Sequence, residues 1–504
     1  MKNPLAYDVV IVGSGLGGLL SAVMLAKEGM KVCVLEKNKQ YGGCLQTFSL
    51  QKHVFDSCVH YIGGLGEGHP LHQIFEYAGI MPQLELRAFD ANGFDRICFG
   101  DQPTLYPLAN GEANFIEQLS SYFPLEKEAI AQYIAAIKNV GDHFPLYRLR
   151  LGEAAEKQAV SGWELTQKIA QITSNKRLQQ VLLGNNLLYA GVPQRTPFYL
   201  HALVTESYIH SAHKVIPGSS QITKFLIMAL RQYGGEIYNH ATVEKIAVEN
   251  GVATYAETAD GQRFYARNFI ANIHPAILLP MIDSTVIKTA YRKRISQLPQ
   301  TTAPFMLNIV LRPATVKMRH YNTYWHQHED ALKAIQYMPG SFPETYAAYF
   351  TESKTHRGFA ESVSILTYMH YEEVEPWANT CNHTLSKMDR GQAYTDFKEN
   401  HAQLLLAKVS QHIPEISTNN MAHSVATPLT YRDYTATPEG AFYGILKDVN
   451  QPAATTISTR TKIPNLLLTG QNINLHGVLG VSITAVATCA ELLGDSYLLQ
   501  KIKQ

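Results

Sequence analysis

The stretch Gly13-Ser14-Gly15-Leu16-Gly17-Gly18 decides the fold because of what stands on either side of it. A β-branched run, Asp8 to Val12, precedes it, an apolar helical run, Leu19 to Glu28, follows it, and Lys31 to Leu35 is again strand-like. Between a strand and a helix, GxGxxG indicates a dinucleotide-binding βαβ unit. Such a helix directs free N–H groups and the positive end of its dipole at a pyrophosphate.

Glu36 narrows down the nucleotide. It stands about 20 residues beyond the glycines at the end of the second strand, where a carboxylate accepts hydrogen bonds from both ribose hydroxyls. A negative charge there also repels a 2′-phosphate, so NADP is disfavoured. The alternative is a chance glycine turn in a buried hairpin with a surface Glu.

Each glycine of the motif has an expected role. Gly13 makes the turn, Gly15 lets the backbone approach the pyrophosphate, and Gly18 lets the helix pack closely on the strand.

The composition indicates a globular chain with a large core and no affinity for polyanions. Of its 504 residues, 46% are hydrophobic and 17% charged, which is enough apolar side chain for two interleaved domains. The 43 Lys and Arg residues against 42 Asp and Glu give a net charge of +1, and no basic block stands out. Nucleic acid is therefore not an expected partner.

The uncharged run from Val9 to Ala26 is long enough to cross a bilayer, but its glycines favour a strand, a turn and a buried helix. We therefore expect a cytoplasmic protein that is soluble or at most attached to one face of a membrane through an apolar surface. Its six cysteines include no CxxC pair and no Cys/His cluster at zinc-ligand spacing. We expect reduced thiols and no metal site.

The middle of the chain alternates between helical and strand-like patterns. A helix over Gln221 to Gln232 and a strand over Glu236 to Tyr238 are followed by a predicted three-stranded antiparallel insert at Thr242–Val248, Val252–Glu257 and Arg263–Ala271. Glu112 to Val140 and Gly162 to Gln180 have the helical spacing expected of a cap. Strands are predicted at Pro299–Arg312, Thr345–Phe350 and Glu361–Tyr371.

Two segments indicate that the bound dinucleotide is FAD and not NAD. The run Glu36 to Gly43 resembles the E-K/R-x(4)-GG stretch of the flavin-containing amine oxidase and phytoene desaturase superfamily, which runs past the FAD pyrophosphate. Near the other end, Pro464 to Asn472 is similar to that superfamily's final strand, and Gly477 to Val481 to the turn into the helix that faces the isoalloxazine. The resemblance implies FAD as the cofactor.

Within that superfamily the chain resembles the retinol saturases and carotenoid isomerases. Phe55 to Gly64 looks like their FDxGxHYxG segment, Pro217 to Gln221 like their P-x-G-G-x, and Thr437 to Gly444 like their P-x-G-x-x-Y-G run. Two positions depart from the pattern. Cys58 stands where such enzymes usually have Gly, and Gln471 stands where many relatives carry an acid opposite the ribityl chain.

The resemblance implies an α/β fold, in which an FAD-binding Rossmann-like domain of the glutathione-reductase type is interleaved with a second α+β domain that caps it and binds substrate. We expect residues 1–85, 214–282 and 432–504 in the first and residues 86–213 and 283–431 in the second. The predicted FAD-contacting residues are Gly13, Ser14, Gly15, Leu16, Gly17, Gly18, Glu36, Lys37, Gly42, Gly43, Val243, Gly470, Gln471, Leu479, Gly480 and Val481.

His60 and Tyr61 are the candidate catalytic side chains, because the resemblance puts their segment by the flavin and either can donate a proton. The alternative for both is a packed, hydrogen-bonded core residue. His476 is interpreted as a hydrogen-bonding loop residue rather than a catalytic one. The flavin itself is the expected reactive group.

Seven aromatic side chains have two possible roles: they line a long apolar tunnel, or they pack in the core. Core packing is the commoner role of buried aromatic residues. The set comprises Tyr189, Phe198, Tyr199, Tyr208, Tyr321, Tyr324 and Trp325. Tyr189 to Pro193 also resembles a D-Y-G-x-x-P segment of the saturases, which favours the tunnel.

Three functions stay open at this stage. The first is an FAD-dependent oxidoreductase that saturates, desaturates or isomerises carbon–carbon double bonds of a hydrophobic polyene, such as a carotenoid or retinoid-like lipid. The second is a flavin amine oxidase, against which the segment from Phe55 to Gly64 argues. The third is a flavin- or lipid-binding protein without turnover. A second GxGxxG is absent from the sequence, so no dedicated NAD(P)H domain is expected and the electron partner is unassigned.

Overall fold

Two large sheets organise the protein. The computed structural model describes residues 7–383 and 386–504, so residues 1–6 and 384–385 of the predicted domain ranges lie outside the described residues. The first sheet has a parallel part whose strands run in the spatial order Glu236–Tyr238, Val32–Leu35, Tyr7–Val12, Arg263–Ala271 and Leu466–Leu468. This is the mixed α/β fold that the motif and the resemblance predict, with the carboxyl ends of the parallel strands at one edge.

The predicted antiparallel insert is part of this sheet and not a separate unit beside it. Val243–Glu249 pairs with Val252–Thr258, which pairs in turn with the first residues of Arg263–Ala271. The later residues of that same strand run parallel to Tyr7–Val12 and to Leu466–Leu468. One strand therefore joins the insert to the parallel layer, which the turn signals alone did not reveal.

The first helix spans Leu16–Lys27 and begins three residues before the predicted start at Leu19. Gly15 is its N-cap, so Gly17 and Gly18 lie inside the first turn. It packs on the helices Gly477–Leu493 and Ser220–Gln232, which brings chain segments far apart in sequence against one glycine turn.

The second sheet is mixed and belongs to the other half of the molecule. Its strands follow the spatial order Asn420–Ala426, Ala303–Leu311, Ala360–Met369, Thr345–Glu352, Asn322–His326, Asp95–Phe99 and Tyr106–Leu108. A third, small sheet consists of Ile62–Gly63, Ala212–Val215 and Leu86–Ala88. The strand Ala212–Val215 straddles the boundary predicted between residues 213 and 214, and the division into two domains stays a prediction.

The remaining helices surround these sheets. Those of the predicted cap are Glu112–Ser120, Lys127–Asp142, Ala154–Ser161, Leu165–Ile172, Lys176–Leu182 and Phe198–His210. The others are Pro70–Tyr77, Pro275–Met281, Thr289–Ser296, Gly391–Ser410, Glu415–Thr418, Pro428–Thr435, Pro452–Thr455 and Asp495–Ile502. Across residues 7–383 and 386–504, none of the helices is both long enough and apolar enough to traverse a bilayer.

Candidate cofactor and substrate site

The glycine turn is shaped by two close approaches. Gly13 has φ +96°, a left-handed conformation that favours glycine, and a Cβ on Gly18 would stand 2.2 Å from the carbonyl oxygen of Gly13. Gly42 lies beside Gly15 in an isolated parallel bridge. The two glycine segments that the sequence singled out, around residues 13–18 and 42–43, are therefore neighbours at one end of the sheet.

Glu36 is buried and held by this turn. One carboxylate oxygen accepts hydrogen bonds from the backbone N–H of Ser14 at 3.0 Å and from its hydroxyl at 2.6 Å, and the other accepts from the N–H of Asn38 at 2.8 Å. The Ser14 hydroxyl oxygen accepts in turn from the N–H of Gly42 at 3.1 Å. A carboxylate offers about four lone-pair sites, so Glu36 retains acceptor capacity for a ligand.

A large cavity opens from this turn and collects most of the predicted site. Its lining contains all the predicted FAD-contacting residues except Gly18, together with His60 and Tyr61. Gly18 instead packs against the backbone of the turn. The structure thus brings residues 13–17, 36–37 and 42–43 together with Val243, Gly470, Gln471 and residues 479–481 around one space.

The polar atoms of the lining fit a dinucleotide. Asn38 Oδ1, His60 Nε2 and Thr469 Oγ1 are buried and find no hydrogen-bond partner among the residues that the structure describes. Unpartnered buried polar atoms are costly, which favours a polar ligand in their reach. Together with the close-packed glycines and the Glu36 carboxylate, they fit the pyrophosphate and ribose of FAD.

The C-terminal segment closes the cavity. Gly470, at φ +98°, directly follows the short strand Leu466–Leu468 and Thr469, and the helix Gly477–Leu493 begins at the cavity wall. His476 precedes that helix, contacts the carbonyl oxygen of Leu188 through Nε2 at 3.1 Å and packs on the ring of Tyr443. This contact fits the interpretation of His476 as a hydrogen-bonding loop residue.

His60 lies in the wall with its ring stacked on Tyr349, with 4.5 Å between the ring centroids. Burial lowers the pKa of His60 to about 3, and the positive charge of Lys214 acts in the same direction. The imidazole is therefore neutral at ordinary pH. Its unpartnered Nε2 either donates or accepts one hydrogen bond, depending on the tautomer.

Tyr61 belongs to a buried network of phenols around one carboxyl group. Its hydroxyl donates to Asp95 at 2.8 Å and lies 2.7 Å from the hydroxyl of Tyr324, which is 3.3 Å from that of Tyr349. Asn322 donates to the other Asp95 oxygen at 2.9 Å. Burial raises the pKa of Asp95 to about 7, although these hydrogen bonds act in the opposite direction.

Sequence reasoning missed Asp95. The one signal is an acidic residue at the start of an otherwise apolar strand, Asp95–Phe99, and nothing in the sequence connects that strand to Tyr61.

Comparisons with known proteins agree with this geometry. Residues 11–78 match the model of the NAD(P)-binding Rossmann-like domain. An all-trans-retinol 13,14-reductase of Danio rerio is 26% identical over 98% of this chain and 86% of its own length. A chloroplastic prolycopene isomerase of Daucus carota is 26% identical over 53% of this chain and 46% of its own length. A structure of putrescine oxidase with bound putrescine superimposes with a TM-score of 0.65, at 14% identity, over 97% of this chain and 99% of that one.

The first listed curated relatives are matched along most of their length, whereas the structural likeness at 14% identity shows the fold alone. The chain is similar to retinol 13,14-reductases along nearly its whole length, and to a prolycopene isomerase and a phytoene desaturase along about half of it. FAD is the cofactor of this protein, in keeping with the lining of its cavity. Which individual residues contact FAD stays a prediction.

The aromatic residues of this protein divide between the two predicted roles. Of the seven, Tyr208 lines the cavity, whereas Tyr189, Phe198, Tyr324 and Trp325 are fully buried core residues. Tyr199 and Tyr321 lie outside the lining as well. Ordinary core packing is therefore the better interpretation for most of the set.

The apolar wall that does exist comes from residues that the sequence did not single out. Cap residues Leu188, Leu203 and Val204 face the cavity together with Leu366 of the second sheet. Helical periodicity predicts that such residues are buried but not which of them border an open space. The cavity therefore joins a polar end at Glu36 to an apolar end under the cap.

Proposed function

We propose that this protein is an FAD-dependent oxidoreductase that acts on carbon–carbon double bonds of a hydrophobic polyene of the carotenoid or retinoid class. When bound, FAD supplies hydride chemistry that no amino-acid side chain offers. The protein's part is to bind the substrate, exclude water and handle the proton.

The observation that carries this proposal is the continuity of one cavity from Glu36 and the glycines to an apolar wall. Leu188, Leu203, Val204 and Leu366 offer the substrate end hydrocarbon surface and no charge. A polyene has no group for an ion pair, so its affinity comes from buried apolar area at about 25 cal/mol per Å². Names of relatives that act on retinol and prolycopene support the same substrate class.

Tyr61 is the proposed proton donor for the substrate. It lines the cavity, and its hydroxyl is hydrogen-bonded to Asp95 and next to Tyr324. A phenol that gives up its proton can regain one from a neighbouring neutral carboxyl group, and Asp95 is neutral over much of the acid and neutral range because burial raises its pKa to about 7. His60 is the proposed second group that orients the substrate or the proton.

Saturation is the direction that we favour. The relatives that match nearly the whole chain are retinol 13,14-reductases, whereas the isomerase and the desaturase match about half of it. Saturation of a double bond adds a hydride to one carbon and a proton to the other, and the Tyr61–Asp95 pair supplies a place for that proton.

A membrane surface is the proposed source of the substrate, because polyenes partition into lipid. Leu125, whose side chain is almost wholly exposed at 98%, and Leu151, at 54%, offer apolar contact from the cap. Sedimentation with phosphatidylcholine vesicles tests this contact. Binding should fall in Leu125→Ser, and equal sedimentation of both proteins would refute it.

The experiment that tests the function follows the flavin spectrum under anaerobic conditions. Reduced protein mixed with retinol or a carotenoid should be reoxidised, and mass spectrometry should find the lipid heavier by two hydrogens. A primary amine that reduced the oxidised protein instead would favour the amine oxidase. Reaction with neither class, while polyene binding persisted, would favour a binding protein without turnover.

A further inference from the structure

Two cysteines in the cavity wall lie next to each other. Cys44 is the middle residue of a short 3-10 helix, Gly43–Leu45, that directly follows Gly42, and Cys58 stands two residues beyond the strand His53–Asp56. Both line the cavity that holds the predicted FAD-contacting residues. A hairpin separates them in the sequence and there is no CxxC spacing, so the sequence indicates two isolated thiols.

The hairpin explains why they meet. The strands Thr47–Leu50 and His53–Asp56 pair antiparallel with Thr47 opposite Asp56. The N–H of Ser57 then donates to the carbonyl oxygen of Gln46 at 3.1 Å, which extends the ladder toward the open end. Continued at the same register, the ladder places Leu45 opposite Cys58, so Cys44 is one residue away from the position opposite Cys58.

Their thiols interact through a side-chain hydrogen bond. That hydrogen bond lowers the pKa of the Cys44 thiol, because a thiolate accepts it better than a thiol does. The thiolate is the reactive form of cysteine. Cys33, Cys98 and Cys489 are buried one by one, and burial raises the pKa of each to about 12, which makes them unreactive.

We propose that Cys44 and Cys58 are a redox-active dithiol that exchanges two electrons with the flavin bound in this cavity. When the dithiol is oxidised, both S–H bonds break, one S–S bond forms, and two electrons and two protons pass to the oxidised isoalloxazine. The reverse transfer breaks the S–S bond and restores both thiols. The pair therefore stores a second pair of electrons beside the cofactor.

The proposal rests on FAD in the cavity but not on the polyene. Cys58 is the position where the resemblance to saturases and isomerases leads one to expect Gly, and this departure places a second sulfur beside Cys44. The electron donor and the substrate need not bind at the same time. A two-electron store would then hold the reducing equivalents until the substrate binds.

Anaerobic reductive titration of the air-oxidised holoenzyme with dithionite tests the proposal without any substrate. The wild type should take up about four electron equivalents per flavin, two for the flavin and two for the disulfide. Cys44→Ser and Cys58→Ser should each take up about two. Cys381→Ser, which alters a cysteine outside the cavity lining, is the matched control and should behave as wild type.

A measurement on the wild type alone guards against variants that fold poorly. Alkylation before and after reduction, followed by peptide mass spectrometry, should find a Cys44–Cys58 disulfide in the oxidised holoenzyme and two alkylated thiols in the reduced one. Uptake of about two equivalents by the wild type, or free thiols at both positions after oxidation, would overturn the proposal. Four equivalents without polyene turnover would refute the proposed function alone.

Discussion

Tyr61 donates a 2.8 Å hydrogen bond to the carboxylate of Asp95, whose side chain is wholly shut off from solvent. Neutral partners surround Asp95, namely Asn322, Tyr61 and, at longer range, the phenols of Tyr208, Tyr324 and Tyr349. Because its hydrogen-bond partners among the described residues are neutral and burial disfavours its charge, its protonated form is favoured. The hydrogen bond thus connects Tyr61 in the cavity wall to a buried carboxyl group that can hold a proton. Two predictions concern this pair.

The first prediction is a pH-dependent stability term. An unfolded Asp has a pKa of about 3.9, and burial raises that of folded Asp95 to about 7. Between these values the native state binds more protons, so this group's contribution to the free energy of unfolding falls as pH rises, by up to about 1.4 kcal/mol per unit. Asp95→Asn removes that slope. Urea unfolding at pH 5 to 8 measures it, and parallel profiles for both proteins would contradict the assignment.

The second prediction concerns proton delivery. Tyr61→Phe and His60→Ala should retain FAD but slow the reoxidation of reduced flavin by the polyene, because each removes a polar group beside the cavity. A tenfold loss corresponds to about 1.4 kcal/mol of transition-state stabilisation. Stopped-flow absorbance measures the rates. Wild-type rates in both variants would reduce these residues to packing and leave the flavin as the sole reactive group.

The third prediction concerns the ribose end. Glu36→Ala should weaken FAD retention by the loss of charge-assisted hydrogen bonds, each worth roughly 1.5–3 kcal/mol before compensation. Ser14→Ala is the matched variant, since it keeps the carboxylate but removes the hydroxyl that holds it at 2.6 Å. It should weaken binding less. Fluorescence titration of apoprotein with FAD gives both dissociation constants, and unchanged affinity in Glu36→Ala would remove Glu36 from the site.

The fourth prediction tests the register of the glycine turn. Gly15→Val should lose most of its FAD, because a side chain at the cap of the helix Leu16–Lys27 blocks the pyrophosphate. Gly162→Ala is the control, since a Cβ there meets nothing within 4 Å. The ratio of flavin to protein absorbance reports the occupancy. Full occupancy in Gly15→Val would mean that the motif is out of register.

The fifth prediction separates the apolar wall from the surface. Val204→Thr keeps the shape of a wall side chain but adds a hydroxyl, and it should weaken polyene binding by about 1–3 kcal/mol through desolvation. Lys138→Gln removes an exposed charge that pairs with Glu112 and should leave binding unchanged. Quenching of flavin or protein fluorescence by the polyene measures both. Equal losses would argue against a hydrocarbon-lined pocket.

The parts of the fold that depend on local pattern were predictable. The strand Glu236–Tyr238 has the predicted bounds, and the helix Ser220–Gln232 begins one residue before its predicted start, because their periodicity and flanking glycines are local signals. The strand Arg263–Ala271 was predicted with its bounds but not with its partners, since pairing to Tyr7–Val12 depends on residues far away in sequence.

The candidate site divides along the same line. Glycines and Glu36 carry a spacing signature, so the cofactor end was predictable from sequence. Asp95, Leu203 and Cys44 carry none, because their roles arise from neighbours brought together by the second sheet, the cap and a hairpin. Buried aromatic residues were ambiguous for a physical reason: a ring that lines a cavity and a ring that fills a core have the same apolar character.

The shared strand has a consequence for the order of events on the ribosome. Its last residues, Phe269 to Ala271, have an open flank until Leu466 to Leu468 have been synthesised and paired with them. Closure of the cavity by Gly470 and by the helix Gly477–Leu493 comes later still. A nascent chain that ends before residue 466 therefore carries its glycine turn without the segments that close the cavity over a nucleotide. A chain truncated before residue 466 should therefore fail to retain the cofactor and should need a chaperone to stay soluble.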